Sequence, residues 1–447
     1  MTVGEGVQLD LEDIQGGALH PRPSPYVGTY ILLRIDDRAD GRELIRRLQP
    51  LVRSAGAPPD PSADAWITVA FTFHGLKALG APQDSLDSFP PEFRQGMAAR
   101  AAELGDVGDS APERWEPPLG TSGVHVALAV LSSDAHRLDA LAERARAAGD
   151  RLPGVAAIWR QDCYQLPTGR TSFGFKDGIG QPDIEGSGLP PSNPLESPIR
   201  AGEFILGYPD ETGSRPPMPT PQVLGQNGTY IVFRKLHTRV AAYRRYVRER
   251  ATSREDEALL GAKMVGRWQS GAPLALAPNA DDPTLGADDG RNNAFLYGDD
   301  GRGFKCPAGA HARRANPRDA LDGEGSVDVR LHRMIRRGTS YGPMLPPGVL
   351  EDDGVDRGII FVFAGTHLKR QFEFVKTQWL NDGIFIGAPR EADPLVGRPV
   401  RSGVLTIPRR PIRRRLQDIP PFVVTRGGEY CFVPGLRALQ WLGELEA

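Results

Sequence analysis

Ten prolines fall in the forty residues from Pro182 to Pro221, and this run divides the chain into two parts. Proline has no backbone N–H and a locked φ, so a segment this rich in it cannot be a helix interior or a central strand. Polar residues and glycines between the prolines point to a connecting loop on the surface. The core must therefore be built on either side of it. At roughly 100–200 residues per domain, 447 residues suit two or three structural units. The 52 glycines and 41 prolines amount to about a fifth of the chain, below the ~25–30% typical of low-complexity disorder, so the loops are expected to be ordered.

Before the proline run, Tyr30 to Ile35 (YILLRI) reads as a strand, and GRELIRRLQPLVRSA after it keeps apolar residues at helical spacing. Ala65 to Phe73 and Val124 to Leu131 read as further strands, the latter leading into the helical AHRLDALAERARAAG with its closing glycine. After the run, Thr229 to Lys235 and Gly358 to Ala364 are strand-like. Arg239 to Arg254 and Leu368 to Leu380 are helical, and Phe422 to Thr425 opens a last hairpin. Both halves thus follow the β-α-β rhythm of a ferredoxin-like unit. The expected fold class is α+β: two ferredoxin-like units, antiparallel sheets with helices, spanning 1–181 and 229–447 and joined by a loop over 182–228. No repeat at the level of residues links the halves, and element order alone carries the comparison.

With 54 Lys plus Arg against 56 Asp plus Glu, the net charge is −2, which argues against a nucleic-acid partner. Cys163, Cys306 and Cys431 are odd in number and contain no CxxC pair, so no disulfide framework or thiolate zinc site is readable. The first twenty residues lack a basic and apolar leader pattern or a twin arginine. No stretch reaches the ~18 apolar residues of a membrane span, and a cytoplasmic location is expected.

Three segments hold candidate chemistry. In Phe173 to Pro182 (FGFKDGIGQP), glycines at 174, 178 and 180 permit close backbone approach to a flat ligand, and Asp177 is the one carboxylate among aromatic and small neighbours. It is either a desolvated acid/base or a solvated Asp-Gly turn. In Phe304 to Asp319 (FKCPAGAHARRANPRD), small residues flank His311, and Arg313, Arg314 and Arg318 follow. An imidazole beside an anion-binding cluster suits an axial iron ligand with arginines for carboxylates; a solvated basic loop is the competing reading. In Leu331 to Pro343 (LHRMIRRGTSYGP), apolar Met334 and Ile335 run directly into Arg336, which if buried needs an anionic or strongly polar partner. The remaining histidines show no zinc or facial-triad spacing.

Together these segments resemble the dye-decolourising peroxidase family. Gly174-Phe175-Lys176-Asp177-Gly178 matches its glycine–two residues–aspartate–glycine signature, Cys306 to Arg318 its proximal-histidine segment, and Met334-Ile335-Arg336-Arg337-Gly338 its distal-arginine segment. Asp13-Ile14-Gln15-Gly16 is similar to its opening, while Arg370 to Phe374 and Gly427 to Tyr430 are similar to its closing segments. Length and the proline-rich loop look more like its larger bacterial branch.

The resemblance implies one haem b per chain, packed between the two units. His311 would ligate the iron, with Asp177, Gly178, Ile179, Arg318 and Arg336 around the cofactor. Asp177 and Arg336 would be the catalytic pair acting on hydrogen peroxide, with an organic dye or phenol as electron donor. An oligomer is compatible with it. The family's late aspartate acceptor for the proximal imidazole would be Asp393 or Asp418, and Trp379 and Tyr341 are relay candidates because they lie near the matching segments. The basic run Arg409 to Arg415 reads as solvated charge. A haem carrier or iron-release protein without peroxide turnover is the alternative, and a colourless two-unit binding protein a more distant one.

Overall fold

The computed structural model describes residues 7–57, 65–324, 328–398 and 403–445, so the first six residues of the amino-terminal stretch lie outside it. Runs of aliphatic and aromatic residues form β1 (Val27–Ile35), β2 (Ala65–Phe71), β3 (Val126–Ser132) and β4 (Val155–Tyr164). They pair antiparallel in the order β4-β1-β3-β2. Helices Arg38–Leu48 and Ala135–Ala147 make the crossovers from β1 to β2 and from β3 to β4. Each starts on an aspartate cap, Asp37 accepting from the Asp40 N–H and Asp134 from the Arg137 N–H. This is the ferredoxin-like arrangement. Strand β4 carries no clear apolar alternation and was not foreseen; it is an edge strand whose exposed positions tolerate charge.

The second half repeats the plan with β5 (Thr229–Thr238), β6 (Ile335–Arg336), β7 (Thr339–Tyr341), β8 (Gly358–Gly365) and, after the separate ribbon β9 (Gly403–Ile407) and β10 (Arg414–Ile419), β11 (Val423–Val433). Its order is β11-β5-β8-β6, with β7 also on β8. The expected last hairpin at Phe422 is therefore corrected: β11 runs eleven residues and pairs with β5, far earlier in the chain. The two sheets meet where β2 touches β11 through the Phe71–Phe432 pair, giving one antiparallel sheet of nine strands. On the opposite side, the hydroxyls of Tyr26 and Tyr30 accept from the Ser340 N–H (2.7 Å) and the Thr339 hydroxyl (3.1 Å), tying β7 to the first unit.

The proline-rich segment is largely irregular, but it is not confined to the surface. Ala201, Phe204, Ile205 and Leu206 are fully buried. Local bonds make this tolerable: the Gly202 N–H reaches Pro209 O, Phe204 reaches Ala201 and Leu206 reaches Gly228. The expected helix at Leu368 to Leu380 forms as two wide π-helical turns, Lys369–Glu373 and Val375–Leu380.

Glu429 of β11 is buried with no ion pair among the described residues, its Oε1 accepting the Gly120 N–H at 2.5 Å. Burial pushes its carboxyl up to about 8, only partly opposed by the Gly120 bond. The folded state thus holds a proton that the unfolded state releases above about 4.5, so stability falls as pH rises from about 4.5 to 8. Glu429→Gln should match wild type near pH 5 and exceed it by roughly 1–3 kcal/mol at pH 8, at ~1.4 kcal/mol per pH unit as the ceiling. Urea melts at the two pH values measure this; an equal difference at both contradicts it.

Candidate active site

His311 opens a single helical turn, His311–Ala315. Its Nδ1 is 2.9 Å from Asp393 Oδ2, while the N–H groups of Leu395 and Val396 donate to Asp393 Oδ1, each at 2.9 Å. Burial opposes charge on Asp393, but His311 and the backbone donors outweigh it and hold the carboxyl below its ordinary range. Of the two late aspartates, Asp393 is the acceptor, and Asp418 lies in β10. The carboxylate is wholly buried, whereas the imidazole keeps 34% of its surface accessible. With Nδ1 committed, Nε2 is the nitrogen available to a ligand.

The arginines after His311 have unequal fates. Arg314 is fully buried and donates to the carbonyls of Gly309, Trp379, Asp382 and Glu391, fastening the proximal turn to the 379–391 segment. Arg313 is taken up by Asp300 and the Cys306 carbonyl and lies over the Tyr297 ring. Arg318, at φ +53°, donates to the carbonyls of Asn293 and Phe295, to the Asn293 side chain and to Glu196. It is also part of a group that sequence reading missed. Arg267, Arg318, Arg333 and Arg336 act on one another's charge, and Glu196 bridges Arg318 and Arg333. Burial, and then Arg318 and Arg336, push Arg267 down to about 10.

Asp177 follows Gly174 and precedes Gly178 and Gly180, whose φ values of +90°, +85° and +77° produce the tight path expected of the FGFKDGIGQP segment. The Ile179 carbonyl accepts from the Arg336 guanidinium at 2.8 Å. Gln181 grips the Arg336 backbone from both sides, accepting its N–H and donating to its carbonyl at 3.0 Å each. The charges of Asp177 and Arg336 both act on His311, although the three come from distant segments. The guanidinium in contact with Asp177 is nevertheless that of Arg22, 3.1 Å from Oδ2. The Asp177 side chain is 44% accessible, not desolvated.

Trp379 is fully buried among His332, Phe374 and Phe385, and Tyr341 is buried with its hydroxyl donating to Asp356 at 3.2 Å. The basic run lies at the β9–β10 turn; Arg414 is paired with Asp256, and Ile412 is 73% exposed.

The strand order is that of two merged ferredoxin-like units forming one antiparallel α+β sheet structure. Residues 13–152 match the family model described as the DyP dimeric alpha+beta barrel domain. The dye-decolorizing peroxidase msp1 of Mycetinis scorodonius is 31% identical over 84% of this chain and 75% of its own length. Peroxidase 2 of the same fungus is 31% identical over 98% and 88%. The multifunctional dye peroxidase DyP2 of Amycolatopsis sp. is 29% identical over 93% and 92%. The structure of an ancestral D-type dye-decolorizing peroxidase superposes with a TM-score of 0.84 at 30% identity, covering 97% of this chain and 99% of that one. A dye-decolorizing peroxidase in complex with 2,6-dimethoxyphenol does so at 0.84 and 28%, covering 97% and 100%.

The chain belongs to the dye-decolorizing peroxidases, haem enzymes that reduce a peroxide and oxidise organic donors. Fungal members match it more strongly than the Amycolatopsis protein, so the expected kinship with the bacterial branch is not borne out. Among the described residues no helix is long and apolar enough to cross a membrane.

Proposed function

We propose that this chain binds one haem b with His311 Nε2 as iron ligand and uses Asp177 and Arg336 to reduce hydrogen peroxide, with phenols or dyes as donors. What supports this reading is the His311–Asp393 pair, which leaves Nε2 for a ligand, together with the Arg336–Ile179 bond that joins the Asp177 and Arg336 segments, whose charges both act on the imidazole. The donor set fits the cofactor. An imidazole hydrogen-bonded to carboxylate is a basic iron ligand. Four mutually repelling arginines with Glu196 as the bridging carboxylate leave positive charge that two propionates would neutralise. Gly178 and Ile179 would lie against the macrocycle, and Arg318 would meet a propionate from the edge of this cluster.

Bound haem would supply the iron at which peroxide is reduced and to which organic donors give their electrons. Asp177 Oδ1, the oxygen that Arg22 leaves free, takes the proton from the incoming peroxide and delivers it to the departing oxygen. Arg336, aimed by the Ile179 carbonyl and the Gln181 grip, stabilises the charge that grows there. Donors too large for that space would be oxidised at the surface, with Trp379 and Tyr341 as relays. Three buried free cysteines suit a cytoplasmic, reducing setting.

The absorption spectrum before and after one equivalent of hydrogen peroxide tests the reading. A Soret band that changes on peroxide addition and returns with a phenolic donor is expected. A colourless protein from haem-replete cells, or a Soret band indifferent to peroxide, overturns it.

A further inference from the structure

Arg22 lies on the short link before β1, 155 residues from Asp177, and makes three contacts that converge on the distal side of the site. Its Nη2 is 3.1 Å from Asp177 Oδ2, and its Nε donates to the Gly338 carbonyl at 2.7 Å. Its guanidinium lies over the Tyr26 ring at 4.4 Å from the centroid. Tyr26 is itself fixed, its hydroxyl accepting from the Ser340 N–H. A guanidinium held at one nitrogen by a carbonyl and on one face by an anchored ring has few rotamers left, so the nitrogen that meets Asp177 is delivered at a set place.

The carboxylate needs such a fixture. Asp177 sits between glycines at positive φ, and its side chain is 44% accessible, so its own backbone and packing do little to orient it. The Arg336 guanidinium donates to the Ile179 carbonyl, and the ion pair of Asp177 is with Arg22 instead.

We propose that Arg22 is a positioning residue for peroxide reduction: by binding Oδ2 it fixes the Asp177 carboxylate and turns Oδ1 toward the peroxide. This inference rests on the reading of Asp177 as the proton acceptor. Arg22 touches neither the reacting atoms nor the cofactor in this account, and acts only through Asp177. The role divides between charge, which a lysine can supply, and the Gly338 anchor, which needs the guanidinium Nε.

The test uses haem-loaded Arg22→Met, Arg22→Lys, Asp177→Asn and the double variant Arg22→Met/Asp177→Asn. A cavity of about 50 Å³ borders Arg22, lined also by His20, Arg337 and residues of β1 to β3, so a substituted methionine or lysine has room to settle. Two rates are read from the Soret band by stopped flow: its change with peroxide, and its shift with cyanide. Cyanide enters as the weak acid and must lose its proton on binding, so the second readout reports the proton acceptor without turnover. Arg22→Met should slow both by about 10–100-fold, the range that a misplacement of about 1 Å commands. Arg22→Lys should recover much of the loss. In the Asp177→Asn background, Arg22→Met should change neither rate further, because the group it positions is gone. Equal defects in the methionine and lysine variants, or an added loss on top of Asp177→Asn, would mean a merely structural staple and overturn the inference. An Asp177→Asn protein with wild-type rates would instead sink the reading of Asp177 itself, and this inference with it.

Discussion

His311→Ala is expected to lose most of its Soret absorbance while the fold persists. The imidazole has Nδ1 on Asp393 and Nε2 left for a ligand, whereas Arg313 and Arg314 beside it are occupied with Asp300 and with carbonyl groups. Removing it takes away the iron ligand and also the partner of a buried carboxylate. Asp393 keeps the Leu395 and Val396 N–H groups, so the penalty should stay within the ~1–3 kcal/mol of an orphaned buried acceptor. Neither sheet depends on the ring: the nine strands and the Phe71–Phe432 seam are made elsewhere. Haem content after purification and far-UV circular dichroism check both halves of the expectation. Full haem occupancy with an unchanged spectrum would remove His311 from the site, and replacing any other histidine should leave the band in place.

Asp177→Asn and Arg336→Leu should each slow the peroxide-driven change of the Soret band by roughly 10²–10³-fold, the effect of removing one preorganised group that serves the transition state. They do so for different reasons. Asparagine keeps the shape and the Arg22 contact of residue 177 but cannot take up a proton. Leucine at 336 removes the donor that meets the departing oxygen and frees the Ile179 carbonyl. The loop should hold its course in the leucine variant, because Gln181 grips the backbone of residue 336 and not its side chain. Since each group is of little use without the other, the double variant should be only slightly slower than the poorer single one. Wild-type rates in both single variants would remove the distal assignment while leaving a haem protein in place.

Local sequence determined the parts of this protein whose cause is local. Apolar runs such as YILLRI and TYIVFRK become β1 and β5, and the Asp37 and Asp134 caps start helices where apolar spacing turns helical. Glycines 174, 178 and 180 bend the chain around Asp177 by their freedom at positive φ, so the segments holding His311, Asp177 and Arg336 stand out in the chain itself. Which group serves which was decided by tertiary structure. An arginine reads the same in the sequence whether its partners are all carbonyls, as for Arg314, or include a carboxylate shared with a second arginine, as for Arg318; only the groups that packing brings near it tell them apart. Asp393 and Asp418 are equivalent by position, and the turn at Leu395 and Val396 makes the first the buried acceptor. Arg22 meets Asp177 across 155 residues, and Ala201 to Leu206 are drawn into the core from a segment whose prolines read as surface. Contacts of that separation arise from where two merged sheets place their edges and loops, a property of the assembled units that no window along the chain contains.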